Sequence, residues 1–209
     1  MKSFTELIHD PIWQDPRPWL VAGTGPSLDG WRQQLRDDYR VMAIHKAALV
    51  TDPDVVVAMD WNPLKYVLER VIPKRVIVDT GIQHIYWPRL SISEAVDRHL
   101  RELYDTNLYV FRTHNQPDCD PEAGPGIKMR HASGEVAIDI LGHLGVREVT
   151  TIGIDGGGSH AKAMNEPEAD GDPYGPHMNY VLEAFKRHGM IWKRIMHYDT
   201  PSPSLAIGT

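Results

Sequence analysis

The chain has one cysteine, Cys119, in 209 residues. A lone thiol excludes an internal disulfide and a cysteine-rich zinc site, and it fits a reducing compartment. No local motif marks it as a nucleophile. Long apolar runs are missing too: none approaches the roughly 18 residues of a membrane helix. The opening Met1-Lys2-Ser3-Phe4-Thr5-Glu6 lacks the apolar core of a signal peptide. A soluble, cytoplasmic protein with no membrane segment is the expectation. Positive charge is in deficit, with 22 Lys and Arg against 28 Asp and Glu and a net charge of −6. That balance argues against a broad nucleic-acid surface, though not against a local basic groove. Internal repeats and low-complexity tracts are absent.

The remaining composition is that of an ordinary globular domain, 42% hydrophobic and 24% charged. The length suits one α/β domain with a full core. Strands are predicted over 18–23, 41–44, 55–59, 75–79, 107–111, 148–154 and 190–198; the short continuous apolar runs 41–44 and 55–59 are typical of strands covered on both faces. Helical patterns fall at 28–38, 63–70, 92–104, from Ser133 (as cap) to near Gly145, and at 177–188. Strand and helix alternate almost throughout. The fold class predicted is therefore α/β: a single Rossmann-like domain over 17–209, its sheet mainly parallel, of about seven strands, with helices on both faces. Residues 1–16 read as an N-terminal arm. The Pro- and Gly-rich stretches 113–130 and 156–176 read as a loop and a flap.

Ligands of such sheets sit at the carboxyl ends of the strands, where the unusual residues gather. Trp19-Leu20-Val21-Ala22 runs into Gly23-Thr24-Gly25-Pro26-Ser27-Leu28, a strand, tight turn and helix start. Glycines let such a turn approach a ligand, Ser27 or Asp29 can cap the helix, and its first N–H groups attract phosphate. The motif lacks the third glycine of the dinucleotide fingerprint and the Gly-Lys-Ser/Thr of a P-loop. Asp60 and Asp155 each close a strand, where a carboxylate can hold a ribose hydroxyl or a metal, or simply fix a turn. Asp155, Asp170, Asp172 and His160 match no standard metal-binding spacing.

Three segments together resemble one family group. They are Ala22–Leu28; Arg130-His131-Ala132-Ser133-Gly134 leading to Thr151-Ile152-Gly153-Ile154-Asp155; and Tyr174-Gly175-Pro176-His177 with Pro201-Ser202-Pro203-Ser204-Leu205. Their order and spacing are similar to the bacterial sialyltransferases of glycosyltransferase family 42, and to the related domain of motility accessory factors. The resemblance implies an inverting, metal-independent glycosyltransferase with a nucleotide-sugar donor. It implies Gly23, Thr24 and Gly25 beside the donor, His45 and Asn62 at its base or ribose, and Ser133 and Gly134 at its phosphate or sugar. Arg130 would stabilise charge at the reacting centre, Tyr174 would bind the leaving phosphate and His177 would be the general base. From their own places at strand ends and in the first turn, not from the resemblance, Asp60, Asp155 and Ser27 complete the expected donor-binding set. Histidine has the right unperturbed pKa for the base. The family usually has asparagine where Thr24 and His45 stand, and a second flap tyrosine where this chain has Ser159, His160 and Lys162. These departures point to a nucleotide sugar other than CMP-sialic acid.

The acceptor remains open among a saccharide, a protein and a modified nucleobase, and relatives often form homo-oligomers. Two rivals stand beside this reading. Archaeal 6-hydroxymethylpterin diphosphokinases share a similar Gly-Pro-Ser-Leu domain and would use ATP and Mg²⁺ on Asp60 and Asp155. A non-catalytic nucleotide-binding module would keep the fold and lose the chemistry.

Overall fold

The computed structural model describes residues 2–83, 107–113, 126–128, 132–164 and 175–196. Among the described residues there are nine strands: β1 (Lys2–Ser3), β2 (Trp19–Ala22), β3 (Arg40–Ile44), β4 (Val55–Asp60), β5 (Arg75–Gln83), β6 (Asn107–Thr113), β7 (Gly126–Ile127), β8 (Glu148–Ile152) and β9 (Ile191–Arg194). Every pairing among them is parallel. The order across the sheet is β1-β6-β5-β4-β3-β2-β8-β9, with β7 beside β6. The count exceeds the expected seven because β1 and β7, of two residues each, carry no readable apolar run.

Six helices accompany the strands among the described residues: α1 (Phe4–Leu7), α2 (Gln33–Asp38), α3 (Ala48–Thr51), α4 (Trp61–Leu68), α5 (Ser133–His143) and α6 (Gly175–His188). Alternate side chains along each strand feed two separate cores. Leu20, Ala22, Val41, Ala43, Val56 and Ala58 face one way, onto Leu28, Leu35, Ala48, Leu64 and Val67 of the α2–α4 side. Val21, Met42, Val57, Ile77 and Phe111 face the other way, onto Val136, Ile140 and Leu141 of α5 and Val181, Ala184 and Phe185 of α6. This is why the central strands β2, β3 and β4 are apolar on both faces, whereas the edge strand β9 is largely exposed. The α/β class with one parallel sheet flanked by helices is observed as expected.

The N-terminal arm joins the second core through Leu7 and Ile12. Asp10 accepts from the Ile12 N–H, the Arg75 guanidinium and the Tyr109 hydroxyl, which ties the arm to the amino end of the sheet. The helix expected over 28–38 is two pieces: a 3-10 turn at Pro26–Gly30 and then α2. Trp31 and Arg32 between them are extended. The expected helix at 92–104 lies outside the described residues. Among those described, no helix is long and apolar enough to cross a membrane.

The chain runs from β2 through β3 and β4 to β5 in one direction, then returns on the other side of β2 as β8 and β9. The direction of travel reverses between β2 and β8. Such switch points open a crevice at the carboxyl ends of the strands.

Candidate functional site

A cavity of about 390 Å³ occupies that crevice. Its walls include Gly23, Thr24 and Gly25 after β2, His45 and Lys46 after β3, and Asp60 at the end of β4. Ser133 and Gly134 of α5, Gly153 to Gly156 after β8, Ser159, His160 and His177 complete it. Nine of the residues expected at a site from the sequence therefore meet here: Gly23, Thr24, Gly25, His45, Asp60, Ser133, Gly134, Asp155 and His177. Ser27 stands just behind the wall, bonded to Asp155. Asn62, on the first turn of α4, is not part of the wall. Arg130 and Tyr174 lie outside the described residues, as do Asp170, Asp172 and Cys119.

The glycines of the turn serve strand packing. The Gly23 N–H donates to the Ile152 carbonyl and the Gly25 N–H to the Gly153 carbonyl, both at 2.8 Å, carrying the β2–β8 contact past the strand ends. A Cβ on Gly23 would run into the Gly153 carbonyl oxygen, and one on Gly25 would stand 2.7 Å from Asp155 Oδ2. Gly153 itself has φ of +69°, a left-handed conformation that glycine adopts without strain.

Asp155 closes this turn. Its Oδ2 accepts the Ser27 N–H at 2.7 Å and its Oδ1 the Ser27 hydroxyl at 2.8 Å. The Ser27 hydroxyl oxygen in turn accepts the Gly153 N–H at 2.6 Å. Arg194 approaches Oδ1 at 3.7 Å. A carboxylate of the protein thus sits where an anion was expected to meet the first N–H groups after Gly25. Ser27 does not cap the turn with its side chain, because its hydroxyl is spent on this triangle.

The N-terminus of α5 is the other anion-attracting element of the wall. Its first N–H groups lack partners within the helix and carry a partial positive charge. The N-cap is Ala132, not Ser133, and no side chain caps the helix. The Ser133 hydroxyl lies instead 3.2 Å from His45 Nε2.

His45 has φ of +47°, a conformation that costs a non-glycine residue of order 1–2 kcal/mol. The twist brings its ring back against β4, where the Met59 N–H donates to Nε2 at 3.3 Å. Here the β4–β5 register shifts, between Ala58 and Asp60. Because Nε2 accepts, the neutral ring carries its proton on Nδ1. Among the described residues Nδ1 has no partner, so one N–H donor is available to a bound molecule. Burial, with the neighbouring Lys46 charge, pushes the imidazole pKa down to about 4 and keeps it neutral. Asp60 shifts the other way: burial raises its pKa. Its carboxyl does not cap α4 and has no partner among the described residues. Two polar groups with pKa values displaced by burial thus lie in one cleft, a clustering common where ligands bind or react.

The roof is formed by residues 156–164 and the start of α6. The Thr24 hydroxyl lies 3.1 Å from His160 Nδ1, and the Ala161 N–H donates to the Thr24 carbonyl at 2.7 Å. His177, on the first turn of α6, stacks on Tyr180 with ring centroids 6.3 Å apart. Sequence reasoning missed Lys46, although its place directly after the β3 apolar run was a usable signal. Met178 and Val181, which add an apolar side, follow from the helical spacing after His177.

No family model and no curated protein matches this chain. Among solved structures, lysine decarboxylase from Selenomonas ruminantium is similar at 12% identity and a TM-score of 0.25, over 93% of this chain and 66% of that one. The chain therefore spans just under two thirds of that protein, and a likeness so distant bears on neither fold nor function.

Proposed function

We propose that this protein is an inverting glycosyltransferase that moves a sugar from a nucleotide-activated donor to an acceptor hydroxyl. One observation carries the reading: residues from three motifs far apart in sequence, Gly23–Gly25, Ser133–Gly134 and His177, line one cavity at the switch point of a parallel sheet. In this reading His177 takes the proton of the acceptor hydroxyl, and the freed oxygen attacks the anomeric carbon on the face opposite the donor phosphate. The bond from that carbon to the phosphate oxygen breaks, and the nucleotide leaves with the electron pair. The α5 N-terminus, Lys46 and His160 are the groups of the wall suited to the charge that develops on the phosphate. The His45 Nδ1–H is suited to an acceptor atom of the base or ribose. The parts given to Arg130 and Tyr174 rest on the family resemblance alone.

Asp60 favours a second reading, because a strand-end carboxylate with no partner among the described residues suits Mg²⁺ and the transfer of a diphosphate from ATP. A thermal-shift panel of CMP, CDP, UDP, GDP and ATP, each with Mg²⁺ and with EDTA, separates the two. Stabilisation by a cytidine or uridine nucleotide in EDTA supports the transferase; stabilisation by ATP with Mg²⁺ alone supports the diphosphokinase. With the donor so named, His177→Ala lowers transfer by about 10²–10⁴-fold, the range for loss of a general base. Transfer unaffected by that change refutes the mechanism, and no transfer with any donor leaves a nucleotide-binding module.

A further inference from the structure

At the far ends of α5 and α6 from the cavity, a second group of polar side chains converges. Asp139 is 1% exposed on the inner face of α5. His143, one turn on and solvent-exposed, places Nε2 3.5 Å from Asp139 Oδ2. His188, the last residue of α6, places Nε2 2.7 Å from Asp139 Oδ1. The two imidazoles meet edge to face at 4.9 Å between centroids. One ligand atom from each of the three residues lies within 4.8 Å of the other two.

The geometry points to a binding site for a divalent transition cation of the zinc class, held by Asp139, His143 and His188. Two imidazole nitrogens and a carboxylate oxygen are the donor set that such ions take. Tetrahedral ligands about 2.0–2.2 Å from zinc stand roughly 3.3 Å apart; here His188 Nε2 is 2.7 Å from Oδ1, His143 Nε2 is 3.5 Å from Oδ2, and three ligand atoms gather within 4.8 Å. A small outward movement of His188 would admit the ion. The exposure of His143 leaves a fourth position for water.

The outer shell is also in place. The Lys128 N–H donates to Asp139 Oδ2 at 2.8 Å, and Arg187 pairs with Oδ1 of the same carboxylate. Arg187 also holds Glu135 at 3.2 Å, so it keeps an anionic partner when a cation draws on Asp139. Outer-shell bonds of this kind orient a ligating carboxylate. The ion would clamp together the two helices that carry Ser133, Gly134 and His177 to the cavity.

The test uses the full chain, stripped with EDTA, then titrated with Zn²⁺ by calorimetry and with Co²⁺ by visible absorption. One equivalent of each is expected to bind, with a tetrahedral Co²⁺ spectrum and a rise in Tm. His143→Ala, at an exposed position, is expected to weaken binding at least tenfold, since loss even of an outer-shell group costs that much. His188→Ala is the second variant, with circular dichroism to check that each is folded. His177→Ala is expected to leave binding unchanged, because that residue lines the other site. Absence of stoichiometric binding overturns the proposal. So does binding that survives His143→Ala, or that falls with His177→Ala.

Discussion

Away from the cavity, Asp10, Asp54 and Asp139 each hold an arginine, whereas Asp60 at the cavity holds no partner among the described residues. Asp10 is paired with Arg75 at 2.7 Å, Asp54 with Arg36 at 2.7 Å, and Asp139 with Arg187. Each also accepts a backbone N–H, from Ile12, Val41 and Lys128 respectively. Burial by itself would raise Asp10; its bonds to Ile12, Tyr109 and Arg75 outweigh that and hold it below its usual range. For Asp60 burial acts unopposed and the pKa rises. The carboxylates away from the cavity are matched bond for bond; at the cleft Asp155 is matched as well, by Ser27 and Arg194, while Asp60 is left costly. A protein keeps an unmatched polar group where binding needs it.

The strongest way to break this contrast is to remove a matched carboxylate. Asp10→Asn leaves Arg75 without its counter-charge in a site where Asp10 is 6% exposed. Breaking a buried pair from one side costs about 3–5 kcal/mol, or roughly 10 °C in Tm for a chain of this size. Urea denaturation should show the midpoint falling with little change in slope. A loss under 1 kcal/mol would mean that the arm contributes little to the core.

The cavity end is open in its side chains but tight in its backbone. Gly153→Ala tests this. The new Cβ would meet the Gly23 carbonyl at a φ of +69°, so overpacking and left-handed strain add to about 3 kcal/mol. Thermal unfolding of the variant measures it. A neutral outcome would show that the β2 and β8 turns separate easily.

Much of this was legible beforehand. Val41–Ile44 and Val55–Met59 read as strands because a strand covered on both faces is apolar throughout; the strand expected over 148–154 is observed as Glu148–Ile152 although Glu148, Thr150 and Thr151 are polar. The meeting of Gly23, Ser133 and His177 was legible only through the motifs. What each turn residue does was not. The Gly23 and Gly25 requirement comes from Gly153, some 130 residues on, and Ser133 gives its hydroxyl to His45 across the cleft instead of capping α5. Local signals report a helix start or a turn; they do not report which distant group completes it. The strands β1 and β7 escaped for a related reason, being defined by their partner β6 and not by their own pattern.

A subtler contrast concerns pH. In the folded state the His45 pKa is lowered from 6.5 to about 4. The unfolded chain then binds more protons between those values, so stability rises with pH across that window and is lost as pH falls through it. Allowing for contact with the open cavity, the change is roughly 1–3 kcal/mol. His45→Asn keeps a residue that tolerates φ of +47° but cannot titrate. Between pH 6.5 and 4 the variant should lose less stability than the wild type, as read from urea midpoints. Parallel curves would place the ring in contact with bulk water.

The smallest stability effect is expected at Asp60, and it carries the comparison furthest. A carboxyl whose folded pKa is raised contributes stability that is full below its unfolded value near 3.8 and is lost as pH rises through the folded value. At neutral pH Asp60 is therefore a burden, though solvent in the cavity screens it. Asp60→Asn should leave stability unchanged or raise it by about 0–1 kcal/mol, the opposite sign to Asp10→Asn. Nucleotide binding in the thermal-shift panel should weaken in the same variant. A variant that is destabilised by more than 1 kcal/mol, yet binds as the wild type does, would make Asp60 one more structural carboxylate and remove the distinction between the two ends of the sheet.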